Sequence, residues 1–224
     1  MSDTTNRYAN ILARIREVAD AIGRPAPRLL AVSKAKPASA ISELAAQGQR
    51  AFGENYLQEA QDKQRELADL PIEWHFIGHL QSRKCAELAA RFDWLQSLDR
   101  EKLIRRLDEA RDPSLGPLNV LLQVNIDNEA SKSGCAAGEI DALADAVSAC
   151  SNLRLRGLMA IPAPGNPARL RDSFARLRRQ FGSLQATHPG VDTLSMGMSD
   201  DFPLAIAEGA TLLRIGSALF GPRS

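Results

Sequence analysis

At 224 residues the chain is long enough to bury a full core, as one α/β barrel or as two small domains. Its 28 Lys and Arg offset 27 Asp and Glu, and a net charge of +1 excludes the broad positive field that draws in nucleic acid or anionic membrane, leaving a small or local partner. Three cysteines, Cys85, Cys135 and Cys150, lack paired spacing and read as reduced thiols in a cytoplasm-like compartment rather than as disulfides or metal ligands.

Residues 6–22 place Tyr8, Ile11, Leu12, Ile15, Val18, Ala19 and Ile22 at helical spacing and stop at Gly23 and Pro25. Arg14, Arg16, Glu17 and Asp20 interrupt the apolar pattern, so the segment reads as an amphipathic helix and not as a signal peptide or membrane span. The expectation is a soluble, cytoplasmic protein. Eight short apolar or β-branched runs follow: 28–34, 51–55, 72–78, 93–99, 119–127, 153–161, 192–199 and 211–221. Between them lie charged, alanine-rich segments such as SAISELAAQGQ and REKLIRRLDEAR, whose apolar residues recur every three or four positions. Strand and helix alternating eight times predict a closed (β/α)8 barrel, one domain over 1–224. The alternative, an open doubly wound sheet, lacks a Gly-x-Gly-x-x-Gly turn after any strand. After the eighth run only Pro222, Arg223 and Ser224 remain, too few for an outer helix. The N-terminal helix is expected to cover the gap between the last and first strands.

In such barrels the chemistry sits on the C-terminal strand ends. RLLAVSKAKP ends the first strand on Lys34, which therefore points into the mouth; a lysine snorkelling from a strand end is the plain alternative. The other strand ends bring Glu54-Asn55-Tyr56, His75 to His79, Asp99, Asn125 to Asp127, Met159, the run Ser195-Met196-Gly197-Met198-Ser199-Asp200-Asp201, and Arg214 with Gly216-Ser217. Loops after strands seven and eight commonly hold phosphate on backbone N–H groups, and glycine lets the backbone approach an anion. For Ser199, Asp200 and Asp201 helix N-capping is an equal reading. A lysine facing a phosphate cradle suits a phosphorylated aldehyde, because burial lowers the amine's pKa while the phosphate anchors the reagent. Pyridoxal 5′-phosphate (PLP) fits, and so does a sugar phosphate in an aldolase. His75 and His79 span a strand end and a loop, so they are not read as a metal pair.

AVSKAKP, FGENY, EWHFIGHLQ, SKSG, LRGLMAI, LSMGMSDD and RIGSALFG, in this order from about Arg28 to Gly221, resemble the signature segments of the pyridoxal phosphate homeostasis protein family (YggS/PROSC). That family is similar to the barrel domain of alanine racemase, the fold type III group. The resemblance implies PLP held as a Schiff base on Lys34, with Lys36 a neighbour that is not the cofactor lysine. It implies phosphate contacts at Ser195, Gly197, Gly216 and Ser217, Arg214 facing the pyridine nitrogen, and Asn55, His75 and Met159 lining the pocket. For His75 a buried structural histidine is the alternative reading. Arg83 departs from the family's usual asparagine, and Lys132 of SKSG reads as a solvated loop lysine or a relay for the cofactor. A permanently charged arginine beside the nitrogen disfavours its protonation and weakens the ring as an electron sink. With only Tyr8 and Tyr56 as tyrosines and a single domain expected, neither a second base nor a lid is expected. The expectation is a non-catalytic monomer that holds PLP for intracellular vitamin B6 homeostasis and hands it to PLP-dependent apoenzymes. The alternative is a small PLP-dependent racemase with Tyr56 as acid.

Overall fold

The computed structural model describes residues 3–129 and 132–221; Ser131 of SKSG and the terminal Pro222, Arg223 and Ser224 lie outside the described residues. Parallel strands β1 (Arg28–Val32), β2 (Ala51–Glu54), β3 (Glu73–Phe76), β4 (Trp94–Leu98), β5 (Leu118–Gln123), β6 (Leu153–Met159), β7 (Thr193–Ser195) and β8 (Leu212–Ile215) pair in chain order, and β8 pairs back onto β1. Closure leaves no sheet edge, which excludes the doubly wound alternative. Every residue of β2, β4 and β8 is buried, as strands packed on both faces require.

Helices α1 (Asp3–Ala21), α2 (Ala38–Ala46), α3 (Leu57–Glu66), α4 (Cys85–Ala89), α5 (Glu101–Ala110), α6 (Ile140–Ser148), α7 (Pro167–Thr187), α8 (Phe202–Ala207) and α9 (Ser217–Phe220) form the outer layer. α1 packs on α2, α8 and α9, so it spans the join between the last and first βα units as expected. Tyr8, Ile15 and Ala19 are buried there and Ile11, Leu12 and Val18 pack against the core. Ile22 departs from the expected apolar face. The helix ends at Ala21, Gly23 turns with φ +64° and donates to the Asp20 carbonyl at 3.1 Å, and Ile22 is left 44% exposed. The eighth strand is also not bare, because the run read as strand to Gly221 breaks at Gly216 and its last part coils into α9.

One irregularity positions the barrel interior. Between β5 and β6 the register shifts, Val120 facing Leu155 but Leu121 facing Gly157, so Arg156 is an extra residue. Gly157 has φ +144°, and a Cβ there would lie 2.0 Å from the Thr193 carbonyl oxygen, so only glycine fits. The bulge resets the inward phase of β6 and brings Met159 into the lumen, where it packs with Trp94 and Leu121.

Candidate functional site

Because side chains alternate along a strand, the residues of β1 that enter the lumen are Leu30, Val32 and then Lys34 just past its end. Leu30 packs with Ala51, Leu212 and Ile77 inside the barrel, while Val32 and Lys34 wall a cavity at the C-terminal mouth. That cavity, about 250 Å³, also takes Lys36 and Asn55 from the first two loops, and Ser199, Asp200, Arg214, Gly216 and Ser217 from the last two units. Ile77, Ile161, Met198 and Phe220 are its apolar walls. Three cations, Lys34, Lys36 and Arg214, thus face one carboxylate, Asp200. The donor set and the charge excess suit a small anion with an apolar body.

The turn that presents Lys34 is braced from behind. Ala35 sits in the left-handed region at φ +58°, its N–H donates to Glu59 Oε1 at 2.6 Å, and the Lys36 N–H reaches the Ser33 carbonyl at 3.1 Å. Lys63 Nζ from α3 donates to that carbonyl at 2.8 Å, to Glu54 Oε1 at 2.8 Å and to Glu59 Oε1 at 2.6 Å. Glu54 is fully buried, and burial raises its carboxyl above the usual range against the opposing hydrogen bonds from Lys63 and Ser33. These groups lie between barrel and helices and hold the site without entering it.

Of the residues expected at the site, Lys34, Asn55, Arg214, Gly216 and Ser217 come together in the cavity, and His75, Met159, Ser195 and Gly197 do not line it. Met159 is sealed in the lumen. Gly197, at φ +91°, is required by packing: a Cβ there would lie 2.5 Å from that of Ala205. Ser199 does not cap α8; its hydroxyl accepts from the Ala218 N–H at 3.3 Å and pairs with Ser217 Oγ at 3.0 Å, tying the two anion-side loops together. Asn55 Oδ1 is buried without a hydrogen-bond partner, so the wall offers an acceptor to a donor from a ligand. Tyr56 is 62% exposed in a neighbouring rim groove that also takes Arg83, and Tyr8 is bonded to Gln49 behind α1, so neither tyrosine lines the cavity. Lys132 is tied to the rim by the Pro162 carbonyl at 2.8 Å and by Glu129 at 3.2 Å.

His75 and Ser195 belong to a polar seam that crosses the lumen below the cavity, through a residue the sequence reading missed, Gln96. Arg214 Nη1 donates to Ser195 Oγ at 2.8 Å, Ser195 Oγ donates to Gln96 Oε1 at 2.7 Å, Gln96 Nε2 lies 2.9 Å from His75 Nδ1, and His75 Nε2 lies 2.7 Å from Glu73 Oε1. Arg214 Nη2 is held by the Ala160 carbonyl at 2.9 Å. His75, Gln96 and Ser195 are fully buried, and His75 stacks on Trp94 with ring centroids 5.0 Å apart. Burial lowers the Arg214 pKa to about 10, which leaves it charged at neutral pH. Burial works to raise the Glu73 carboxyl, but the His75 hydrogen bond and the charge and hydrogen bond of Arg28 hold it below the usual carboxylate range. Burial lowers His75 below 6.5, so it stays neutral in the fold.

That neutrality has a sign. A base whose folded pKa is depressed binds more protons when unfolded, so stability is lost as pH falls below 6.5. His75→Asn, which cannot titrate, is expected to flatten the fall in chemically measured unfolding free energy between neutral pH and pH 5. An unchanged slope would mean that His75 is not buried as a neutral base.

Among the described residues no His, Cys, Asp and Glu cluster could hold a metal ion, and no helix is long and apolar enough to cross a membrane. The cysteines are free, and burial pushes the Cys135 thiol up to about 12.

Over residues 7–224 the chain matches the family described as alanine racemase, N-terminal domain. It is 58% identical to the pyridoxal phosphate homeostasis protein of Pseudomonas aeruginosa over 226 residues, covering all of this chain and 97% of that one. With the protein of the same name from Escherichia coli strain K12 it shares 48% over 229 residues, covering all of this chain and 98% of the other. The fold superimposes on PipY of Synechococcus elongatus, solved with PLP bound, with a TM-score of 0.86 and 38% identity over 98% of this chain and 100% of that one. The Pseudomonas and Escherichia relatives are named for homeostasis of a cofactor and not for a reaction, in agreement with the expected non-catalytic role.

Proposed function

From the premise that this chain belongs to the pyridoxal phosphate homeostasis protein family, we propose that it is a single-domain, non-catalytic PLP carrier of the cytoplasm that holds the cofactor as a Schiff base on Lys34 and delivers it to apoenzymes as a monomer. The observation that carries this reading is the cavity itself: a strand-end lysine, two further cations and paired serine hydroxyls around an apolar slot, with an unpartnered acceptor on Asn55.

The fit is residue by residue. Ser199, Ser217 and the backbone at Gly216 would hold the phosphate, Asn55 would accept from the ring hydroxyl, and Arg214 would face the ring nitrogen. Lys36 adds positive charge at the mouth. When bound, PLP supplies an aldehyde able to bond reversibly to an amine and a ring able to withdraw electrons. The chain's own groups favour the first property over the second, because Arg214 donates only and keeps a neighbouring nitrogen unprotonated. Ser195 and Gly197 serve this arrangement from outside the cavity, one through Arg214 and the other through loop packing. Neither tyrosine lines the cavity, which disfavours the racemase alternative.

Titrating the purified protein with PLP should give a saturable visible band at one cofactor per chain, fixed by borohydride. Incubating the loaded protein with a PLP-dependent apoenzyme should move the cofactor faster than its spontaneous release. Absence of the band overturns the binding reading; a band with transfer no faster than release overturns delivery.

A further inference from the structure

The seam across the lumen has a forced direction. At the mouth arginine can only donate and at the floor the Glu73 carboxylate can only accept, so Ser195 Oγ accepts from Arg214 and the neutral His75 must turn Nε2–H to Glu73 and accept at Nδ1. The atom of Gln96 facing Ser195 is therefore the carbonyl oxygen, and its NH2 faces His75 Nδ1. Every link points from the buried cation at the mouth toward an anion at the barrel floor, where Arg28 pairs with Glu73 at 2.8 Å. Reversing the Gln96–His75 link would leave an unprotonated Nε2 facing the Glu73 carboxylate, acceptor against acceptor, so the Gln96 oxygen stays turned to Ser195 and takes its single proton. Two apolar clusters flank the seam, Leu30 with Ala51 and Leu212 on one side, Trp94 with Leu121 and Met159 on the other; its floor end at His75 borders a cavity of about 420 Å³, whereas the Gln96–Ser195 link is fully buried.

We infer that Gln96 and His75 are positioning residues for the cofactor: acting through Ser195, they fix the orientation of the Arg214 guanidinium in the cavity wall and thereby set the electronic state of the bound ring. The inference rests on the proposed PLP reading. Lysine chemistry at the mouth does not need the seam, whereas the ring's environment does. Once Ser195 loses its acceptor its hydroxyl is free to turn, and the Arg214 guanidinium then relies on the Ala160 carbonyl and the Asp201 charge rather than on a fixed Ser195 lone pair.

The test uses the full chain, its Gln96→Leu variant and its His75→Asn variant, each loaded with PLP. In His75→Asn the amide oxygen takes the place of Nδ1 as acceptor for Gln96. Gln96→Leu is expected to keep borohydride fixation at Lys34 while shifting the position and pH profile of the visible band and raising the dissociation constant about tenfold, the scale of one buried group left unpartnered. His75→Asn is expected to return the band and its pH profile to those of the parent. A Gln96→Leu band and pH profile superimposable on the parent's would overturn the inference, as would a His75→Asn spectrum altered like that of Gln96→Leu. Nitrogen-15 NMR of His75 in the unloaded parent reads the seam even where a variant fails to fold: protonation at Nε2 is expected, and protonation at Nδ1 overturns the polarity derived above. A parent that takes up no PLP at all sinks the functional reading instead, and the His75 tautomer then still tells whether the seam itself was read correctly.

Discussion

Lys34→Ala is expected to abolish covalent uptake of PLP: no borohydride-fixed mass on peptide 29–50, no saturable visible band, and affinity lowered by more than about a hundredfold through loss of the only bond the aldehyde forms. The control that gives this meaning is Lys36→Ala. Both lysines wall the cavity, but strand alternation sends the first into the lumen axis, while the second follows a left-handed residue and starts the approach to α2. Lys36→Ala should keep the fixed mass on Lys34 and weaken affinity about tenfold, the scale of one charge-assisted hydrogen bond to an anion. The same mass on Lys36 in the parent, or its persistence in Lys34→Ala, would show that the strand-end lysine is not the attachment point.

How much of this was legible in the sequence follows from where periodicity carries information. The eight apolar runs located every strand, and the abrupt stop of RLLAVSK at Lys34 placed the amine at the mouth, because the C-terminal strand ends of such a barrel form it. Depth was not legible. His75, Met159 and Ser195 share the inward phase with cavity residues, but they lie lower in the lumen, and height along the barrel axis depends on register and tilt that no single strand encodes. The bulge at Gly157 shows the difficulty, since it shifts the phase of β6 by one residue within LRLRGLMAI, where the Leu/Arg alternation gives way to consecutive apolar residues. Gln96 carried a readable signal that was passed over: an amide at the inward phase of DWLQSLD, between Trp94 and Leu98, needs buried partners and so announces a polar seam. α9 escaped because Leu219 and Phe220 extend the apolar run without a change of composition; only Gly216 marks the break.

Lys63→Met should be the most destabilising single change near the site, by about 3–5 kcal/mol, because it strips from a fully buried carboxylate the cation paired with it among the described residues. Glu54 Oε2 already lacks a partner, so Oε1 depends on Lys63 and on the Ser33 hydroxyl at 2.6 Å. The pH dependence identifies the cause. Burial raises the folded-state pKa of Glu54 above the unfolded value of 4.5, so the folded protein gains protons as pH falls through that folded value, and stability rises toward pH 5. Removing Lys63 lifts the folded pKa further, so the deficit relative to the parent should be largest at pH 8 and shrink toward pH 5 in urea titrations. Adding Glu54→Gln should recover a large part of the loss at pH 8 and remove its pH dependence. A deficit independent of pH would mean that packing of the lysine stem, and not its charge, supports the fold. The Ser33 carbonyl also loses its Lys63 contact, and Glu59 Oε1 is left to the Ala35 N–H alone. The left-handed turn that aims Lys34 then relaxes, and PLP uptake should slow in the folded fraction even where Glu54→Gln has restored stability.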